Sequence, residues 1–171
     1  APKFWQIDSI HLTKNRIQLA QEGMLRAKKH AVSQYESTKK HIDSIAPNKP
    51  IHIGETGWAT SAYTNYGVEG SRAADEFKQK LYYDYMRTWS TENKLSCFFF
   101  EAFDEPWKDS NDAKASENHF GLINIKSEAK YVLWNAVDSG KFKGLLRNRN
   151  TITKTYEGDE EEMLRSILAP S

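Results

Sequence analysis

Apolar residues recur at steps of three and four along residues 15–45, with lysine and glutamine between them. This spacing predicts an amphipathic α-helix, and Pro47 marks its end. The predicted buried stripe of this long helix is Ile17, Ala20, Met24, Ala27, Ala31, Tyr35, Ile42 and Ile45. Shorter helices are predicted nearer the C-terminus, at 129–137 and 160–168.

A second long helix is predicted to begin at Ser71, a residue type that caps helix N-termini. Asp75 and Glu76 follow in its first turn, where the helix dipole favours negative charge. Its predicted buried stripe is Ala74, Phe77, Leu81, Tyr85 and Trp89.

Two apolar runs flank this second helix and predict strands. The first, after Pro50, ends at Glu55, and a polar loop over 59–70 follows it. The second runs from Leu95 to Phe103 and is so apolar that both of its faces are expected to be buried, as in a parallel sheet. The order strand, loop, helix, strand predicts a right-handed βαβ crossover.

Two central strands are too few for a self-sufficient parallel sheet, which needs neighbours at both edges and cover on both faces. A closed (β/α)8 barrel takes about 250 residues and eight strands. We therefore predict an α/β fold in which residues 1–171 form the C-terminal portion of one (β/α)8 TIM barrel domain. The remaining strands are expected from another segment or chain.

Charge and composition exclude several function classes. Lys and Arg together number 24 and Asp and Glu 23, so the net charge of +1 gives no electrostatic basis for binding nucleic acid or an anionic membrane. No apolar stretch approaches the roughly 20 residues of a membrane span. No charged and apolar leader opens the chain, so any export signal is expected to have been removed.

Carboxylates and aromatic rings follow both predicted strands. Because the carboxyl ends of parallel strands form a common edge, Glu55, Glu105, Trp107 and Lys108 are expected at one mouth. Carboxylates that accept hydrogen bonds, a lysine that donates them and rings that stack on a pyranose suit a sugar. A structural ion pair or a helix cap remains the alternative for a strand-end acid such as Glu55.

No cofactor is predicted, and His119 lacks other residues at metal-ligand spacing, so no metal site is predicted either.

Three motifs resemble those of glycoside hydrolase family 17, the β-1,3-glucanases. Residues 49–58, KPIHIGETGW, resemble its GETGWPS signature; residues 99–108, FFEAFDEPWK, look like a strand of its microbial members; and residues 117–122, ENHFGL, are similar to its ExHFGLF segment. The resemblance implies a (β/α)8 barrel that acts on β-1,3-glucan with retention of anomeric configuration.

The resemblance also implies roles for residues. Glu55 falls on the nucleophile of the family, and acidic and lysine positions of the later motifs fall on Glu105, Lys108 and Glu117. Trp58, Phe103 and Trp107 would form walls of the sugar subsites. A mutual ion pair is the alternative for Glu105 and Lys108.

Two departures from the family pattern matter. Ala59 and Thr60 stand where the family usually has Pro-Ser. The family's acid/base is a Glu after an Asn on an earlier strand, and no Asn-Glu pair occurs in this sequence.

We therefore expect an endo-acting β-1,3-glucan hydrolase whose acid/base lies on a complementing N-terminal barrel segment, without which the chain is inactive. A catalytically silent glucan-binding fragment and a β-1,3-glucan transglycosylase are the alternatives. Because polymeric glucan is met outside the cytoplasm, a secreted, periplasmic or cell-surface location is expected.

Overall fold

The long N-terminal helix, α1, spans Arg16–Ile45. Asn15 caps it, since the side-chain oxygen of Asn15 accepts a hydrogen bond of 2.9 Å from the backbone N–H of Gln18. The first half of the predicted stripe is buried, at Ala20, Met24 and Ala27. The second half is not, and Ile45 is 71% exposed.

The structure, a computed structural model, describes residues 15–62 and 71–168. Predictions for 1–14, for most of the 59–70 loop and for 169–171 lie outside these ranges.

Helix α2 spans Glu76–Glu92 and begins later than predicted. Its cap is Asp75, which accepts a 2.8 Å hydrogen bond from the Lys78 N–H, whereas Ser71 accepts one from Ala73 in the turn before. Of the predicted stripe, Phe77 is buried, while Leu81, Tyr85 and Trp89 are half-buried and pack against the clusters that α2 forms with its neighbours. Its buried residues are Phe77, Lys78, Gln79, Tyr82, Met86 and Ser90.

Strands β1, His52–Thr56, and β2, Ser96–Phe99, flank α2 along the chain and pair in parallel. This confirms the predicted order of strand, helix and strand. In the described part of the chain each strand has only the other as a ladder partner. The expectation that both faces of the second strand are buried was wrong, because no element in residues 15–62 and 71–168 covers one face of the pair, and Phe98 is 61% exposed there.

A β-bulge interrupts the ladder in β1. Ile53 pairs with Cys97 and Thr56 with Phe99, so three steps along β1 match two steps along β2. Ile53 and Thr56 are half-buried on the helix side, while the residues between them, Gly54 and Glu55, are exposed. We call the uncovered side of the pair the open face. His52 lies there with its ring edge-on to that of Phe98, 4.6 Å between centroids.

The C-terminal half consists of short elements around small apolar clusters. The predicted helix at 129–137 is a 3-10 turn, Tyr131–Leu133, followed by a short helix α3, Trp134–Asp138. The predicted helix at 160–168 is α4, Glu160–Arg165. The short strands are β3 (Glu128–Ala129), β4 (Leu146–Arg147), β5 (Asn150–Thr151) and β6 (Thr153–Lys154), of which β3 pairs with β6 and β4 with β5.

Three buried clusters hold these layers together. One joins α1, α2, α3 and α4 around Phe77, Trp134 and Met163. A second joins α1 to α2 through Met24 and Met86, and a third lies under the C-terminal hairpin. Among the described residues, no helix is long and apolar enough to cross a bilayer.

Candidate active site

Glu55 lies at the carboxyl end of β1 and is exposed. The next residue anchors the strand, since the Thr56 hydroxyl lies 2.9 Å from the Tyr82 hydroxyl on α2. Gly57 then lets the tips of the two strands meet, because a Cβ at this position would collide with the carbonyl oxygen of Phe100. The sequence thus places a solvent-accessible carboxylate at the edge that β1 and β2 share.

The carboxyl end of β2 carries a cluster of three charged side chains. The chain leaves the strand through a cis peptide bond between Phe100 and Glu101. The Lys108 Nζ lies 2.6 Å from Glu105 Oε2 and 3.0 Å from Glu101 Oε2. It also lies 4.0 Å from the centroid of the Phe100 ring. We call Glu101, Glu105 and Lys108 the acid–lysine cluster.

The three groups of the acid–lysine cluster differ in their affinity for protons. Burial, followed by a hydrogen bond with Glu105, raises the pKa of Glu101 to about 7. The hydrogen bond from Lys108 lowers the pKa of Glu105. Burial lowers the pKa of Lys108, but its hydrogen bonds to Glu105 and Glu101 outweigh burial and raise it overall. At neutral pH a charged Lys108 therefore faces an ionised Glu105 and a Glu101 that is protonated in about half of the molecules.

A buried ion pair lies beneath this cluster. The Lys130 Nζ donates to Asp104 Oδ1 at 2.7 Å, to the Thr60 hydroxyl at 2.8 Å and to the His119 carbonyl at 3.1 Å. Lys130 and Asp104 side chains are only 3% and 6% exposed. Burial lowers the pKa of Lys130 despite its partner. This lysine ties together the segment after β1, the loop after β2 and the segment after Glu117.

Close backbone packing reinforces the same junction. A Cβ at Gly121 would collide with the backbone of Phe103 and Asp104. The Asp104 N–H also donates to the Ile123 carbonyl at 3.0 Å. The loop that carries Glu105 is thus held against the 119–123 segment.

Glu117 is exposed in a turn whose neighbour, Asn118, is buried. The Asn118 side chain accepts from the Asp109 N–H at 2.9 Å and donates to the Asp109 carbonyl at 2.7 Å. One buried amide thereby closes the long polar loop and fixes where Glu117 emerges.

The three predicted sugar-binding rings have different surroundings. Trp107 is 69% exposed and Phe103 42% exposed. The Arg147 guanidinium lies over the Phe103 ring, 4.6 Å from its centroid. Trp58 instead packs between β1 and α2: its ring centroid lies 5.2 Å from that of Tyr82, and its indole N–H donates to the Ala73 carbonyl at 2.7 Å. The contacts of Trp58 thus belong to the packing of the core.

A cavity of about 290 Å³ runs along the edge of β1 that β2 does not occupy. The other wall of the cavity comes from the poorly covered half of α1. Its lining includes Ala31, Tyr35, Thr38, Ile51, Glu55 and Met86.

Sequence reasoning found Glu105 and Lys108 and left open an ion pair between them, which the structure contains. It did not single out Glu101, which pairs with the same lysine at 3.0 Å. It missed Asp104 and Lys130 altogether, because residues 26 positions apart carry no spacing signal. No cluster of three or more potential metal ligands occurs in residues 15–62 and 71–168.

Strand-end acids with exposed rings beside them are an arrangement suited to binding a carbohydrate. The family model described as the BtgE/BtgC glycoside hydrolase domain matches residues 23–121, more than half of the chain, so the chain belongs to this family. The resemblance to β-1,3-glucanases inferred from the three motifs is thereby confirmed.

Two curated fungal proteins and one crystal structure are similar to the chain. The glucan 1,3-beta-glucosidase of Arthroderma benhamiae is 35% identical over 88 residues, which is 47% of this chain and 27% of that protein. The glucan 1,3-beta-glucosidase of Schizosaccharomyces pombe is 35% identical over 88 residues, 50% of this chain and 25% of that protein. The crystal structure of an endo-laminarinase from Formosa Hel1_33_131 superposes with a TM-score of 0.91 at 47% identity.

The chain corresponds to only part of each of these similar proteins. The superposition with the endo-laminarinase covers 99% of this chain but 43% of that chain. The chain spans about a quarter of the length of the two curated relatives. Its mixed helix and strand fold is therefore that of one part of the endo-laminarinase structure.

Proposed function

We propose that the chain is the C-terminal part of a (β/α)8 domain that hydrolyses β-1,3-glucan internally and with retention. Glu55 is the nucleophile in this proposal, and the acid/base lies on a complementing N-terminal barrel segment. The observation that carries the proposal is the placement of an exposed Glu55 at the edge where β2 brings the acid–lysine cluster. The names of the similar proteins, two glucan 1,3-beta-glucosidases and an endo-laminarinase, support β-1,3-glucan as substrate.

The sheet itself supports the need for a further segment. Among the described residues β1 and β2 have no second neighbours, although parallel strands ordinarily lie inside larger sheets. The cavity between the free edge of β1 and α1 has the position in which a preceding barrel strand would pair. The open face of β1 and β2 would then become the inside of the barrel.

The proposed chemistry assigns a role to each group. The Glu55 carboxylate attacks the anomeric carbon and forms a glycosyl-enzyme intermediate, while the acid/base protonates the leaving oxygen and later activates water. Glu105, Lys108 and Glu117 hydrogen-bond to sugar hydroxyls and hold the nucleophile. Phe103 and Trp107, the exposed members of the three rings predicted to bind sugar, stack on pyranose faces. The sugar-binding role of Trp58 remains a prediction, and it would involve the edge of a ring otherwise used in packing.

The test uses this chain joined to the N-terminal barrel segment of its own protein. Laminarin hydrolysis should appear only in the joined protein, and Glu55→Gln should lower kcat on the order of 10³-fold or more. Glu92→Gln, at the exposed end of α2, is the matched control and should leave kcat unchanged. Full activity in the Glu55→Gln protein would show that Glu55 is not the nucleophile.

Product analysis separates the alternatives. Glucan binding without turnover in the joined protein would favour the binding fragment. Elongated oligosaccharides from laminari-oligosaccharide donors would favour the transglycosylase. Because the substrate is an external polymer, the proposal includes a secreted, periplasmic or cell-surface location, which fractionation of the source cells would test.

A further inference from the structure

The acid–lysine cluster contains one more carboxyl than its lysine can neutralise. Lys108 is within hydrogen-bonding distance of both Glu101 and Glu105, so two ionised carboxylates would leave a net negative charge at a partly buried point. The Glu101 side chain is 12% exposed. Like charges held this close disfavour double ionisation.

The two carboxyl groups share one hydrogen-bond donor, since the Lys108 Nζ lies 3.0 Å from Glu101 Oε2 and 2.6 Å from Glu105 Oε2. A hydrogen bond directly between two carboxyls would require a proton on one of them. Glu101 is the more buried of the two, and its Oε1 is fully buried without a partner in the described part of the chain. Burial disfavours charge, so the proton belongs on Glu101 and the negative charge on Glu105.

We propose that Glu101 is a positioning residue that acts as a neutral carboxylic acid, donating a hydrogen bond to Glu105 and holding Lys108 at the mouth of the site. Glu105 and Lys108 then form a pair without net charge, and the Phe100 ring under Lys108 fixes the direction of its ammonium group. This inference rests on the proposed function for its kinetic consequence. Its structural content, a shared proton between Glu101 and Glu105, does not depend on it.

Few other charged groups of the described residues face Glu101. Lys108 and Glu105 come from the loop of Glu101 itself. Lys130, from the segment after β3, acts on Glu101 electrostatically but is paired with Asp104. His119 precedes the 120–122 segment that hydrogen-bonds to the Glu101 backbone, and its ring faces Asp104.

Ionisation of Glu101 above neutral pH would break this arrangement. Both carboxylates would then compete for Lys108, and the hydrogen bond between them would be lost. Activity of the joined protein should therefore fall as the pH rises through about 7, where Glu101 titrates.

The variant Glu101→Gln tests this directly, because its amide is neutral at every pH, donates to Glu105 and accepts from Lys108. Near pH 6 its kcat/KM should stay within about 3-fold of the parent, and the basic limb of its pH profile should move up by about one pH unit or more. Glu101→Ala should lose about 10- to 100-fold, as for other residues that orient functional groups. Glu92→Gln should keep the parental profile. A basic limb that Glu101→Gln leaves in place would overturn the proposal.

Carboxyl ¹³C NMR of the same joined protein provides a readout that needs no activity. The Glu101 carboxyl should titrate near pH 7, with a reciprocal response at Glu105. A Glu101 carboxyl that titrates near 4.5 in a protein that hydrolyses laminarin would refute the shared proton and leave the proposed function intact. The expected titration in a protein without glucan turnover would refute the proposed function and leave the shared proton intact.

Discussion

Removing the buried ammonium of Lys130 should destabilise the protein more than any surface change of the same kind. In Lys130→Met the methylene stem is kept, but Asp104, 6% exposed, loses its 2.7 Å ion pair. Two further acceptors, the Thr60 hydroxyl and the His119 carbonyl, lose their donor. Breaking a buried ion pair at one partner typically costs about 3–5 kcal/mol, because an uncompensated charge stays behind.

Replacing both partners should cost less than replacing the lysine alone. In Lys130→Met with Asp104→Leu no buried charge remains, and such double replacements are often neutral or stabilising by about 1–4 kcal/mol relative to the ion pair. The free energy of unfolding should be measured by urea titration of the protein that carries this chain. Lys126→Met, an exposed lysine four residues earlier, is the control and should change it by less than about 0.5 kcal/mol.

Two results would refute this role of the ion pair. The first is a free energy of unfolding for Lys130→Met within about 1 kcal/mol of the parent, which is an ordinary effect for a point mutation. The second is a double variant whose loss of stability exceeds the sum of the two single losses, since the pair would then not act as a unit. Laminari-oligosaccharide binding should weaken together with stability, because Lys130 joins three segments that carry the site.

Two further predictions concern the same junction. Gly121→Ala should lower the free energy of unfolding by about 1–3 kcal/mol, because the added methyl group collides with the backbone at Phe103 and Asp104. Urea titration measures this loss, and Gly54→Ala, whose methyl group would lie 4.0 Å from His52 Cδ2, is the control. Equal stabilities of the two variants would contradict the prediction. The hydrogen bond with Asp104 raises the pKa of His119, so the folded state binds this proton more tightly than the unfolded state. The stabilisation is therefore fully present below the unfolded pKa of about 6.5 and is lost as the pH rises through the folded value. The difference in unfolding free energy between the parent and His119→Gln should shrink across that range, and a difference independent of pH would contradict the assignment.

Much of the fold was readable from local patterns. Asn15 and Pro47 bracket α1, and the apolar runs on either side of α2 become the parallel pair β1 and β2. Local patterns mistook the start of α2 because Ser71 and Asp75 are both good caps, and the choice between them depends on tertiary contacts. The burial of β2 was overestimated because an apolar face is buried only when another element covers it.

Some residues of the candidate site could be predicted from local patterns, and others depend on the folded structure. Glu55, Glu105 and Lys108 follow from the rule that parallel strands share a carboxyl edge, and they lie where strand ends put them. Glu101 could not be separated from Glu105 by sequence, because its distinct proton affinity arises from burial and from a neighbour contributed by a loop. Lys130 reads as an ordinary surface lysine until the fold encloses it.

The β-bulge in β1 inserts one extra residue between Ile53 and Thr56, and this insertion helps to determine the side of the strand on which Glu55 lies. A regular strand would send alternate side chains to alternate sides, so Glu55 would follow Ile53 toward the helices. Pairing this strand in a regular register, without the bulge, would preserve every functional residue and still turn the carboxylate toward the apolar layer. Transplanting the motif into another scaffold therefore requires a partner strand that keeps the irregular register as well as the letters of the motif.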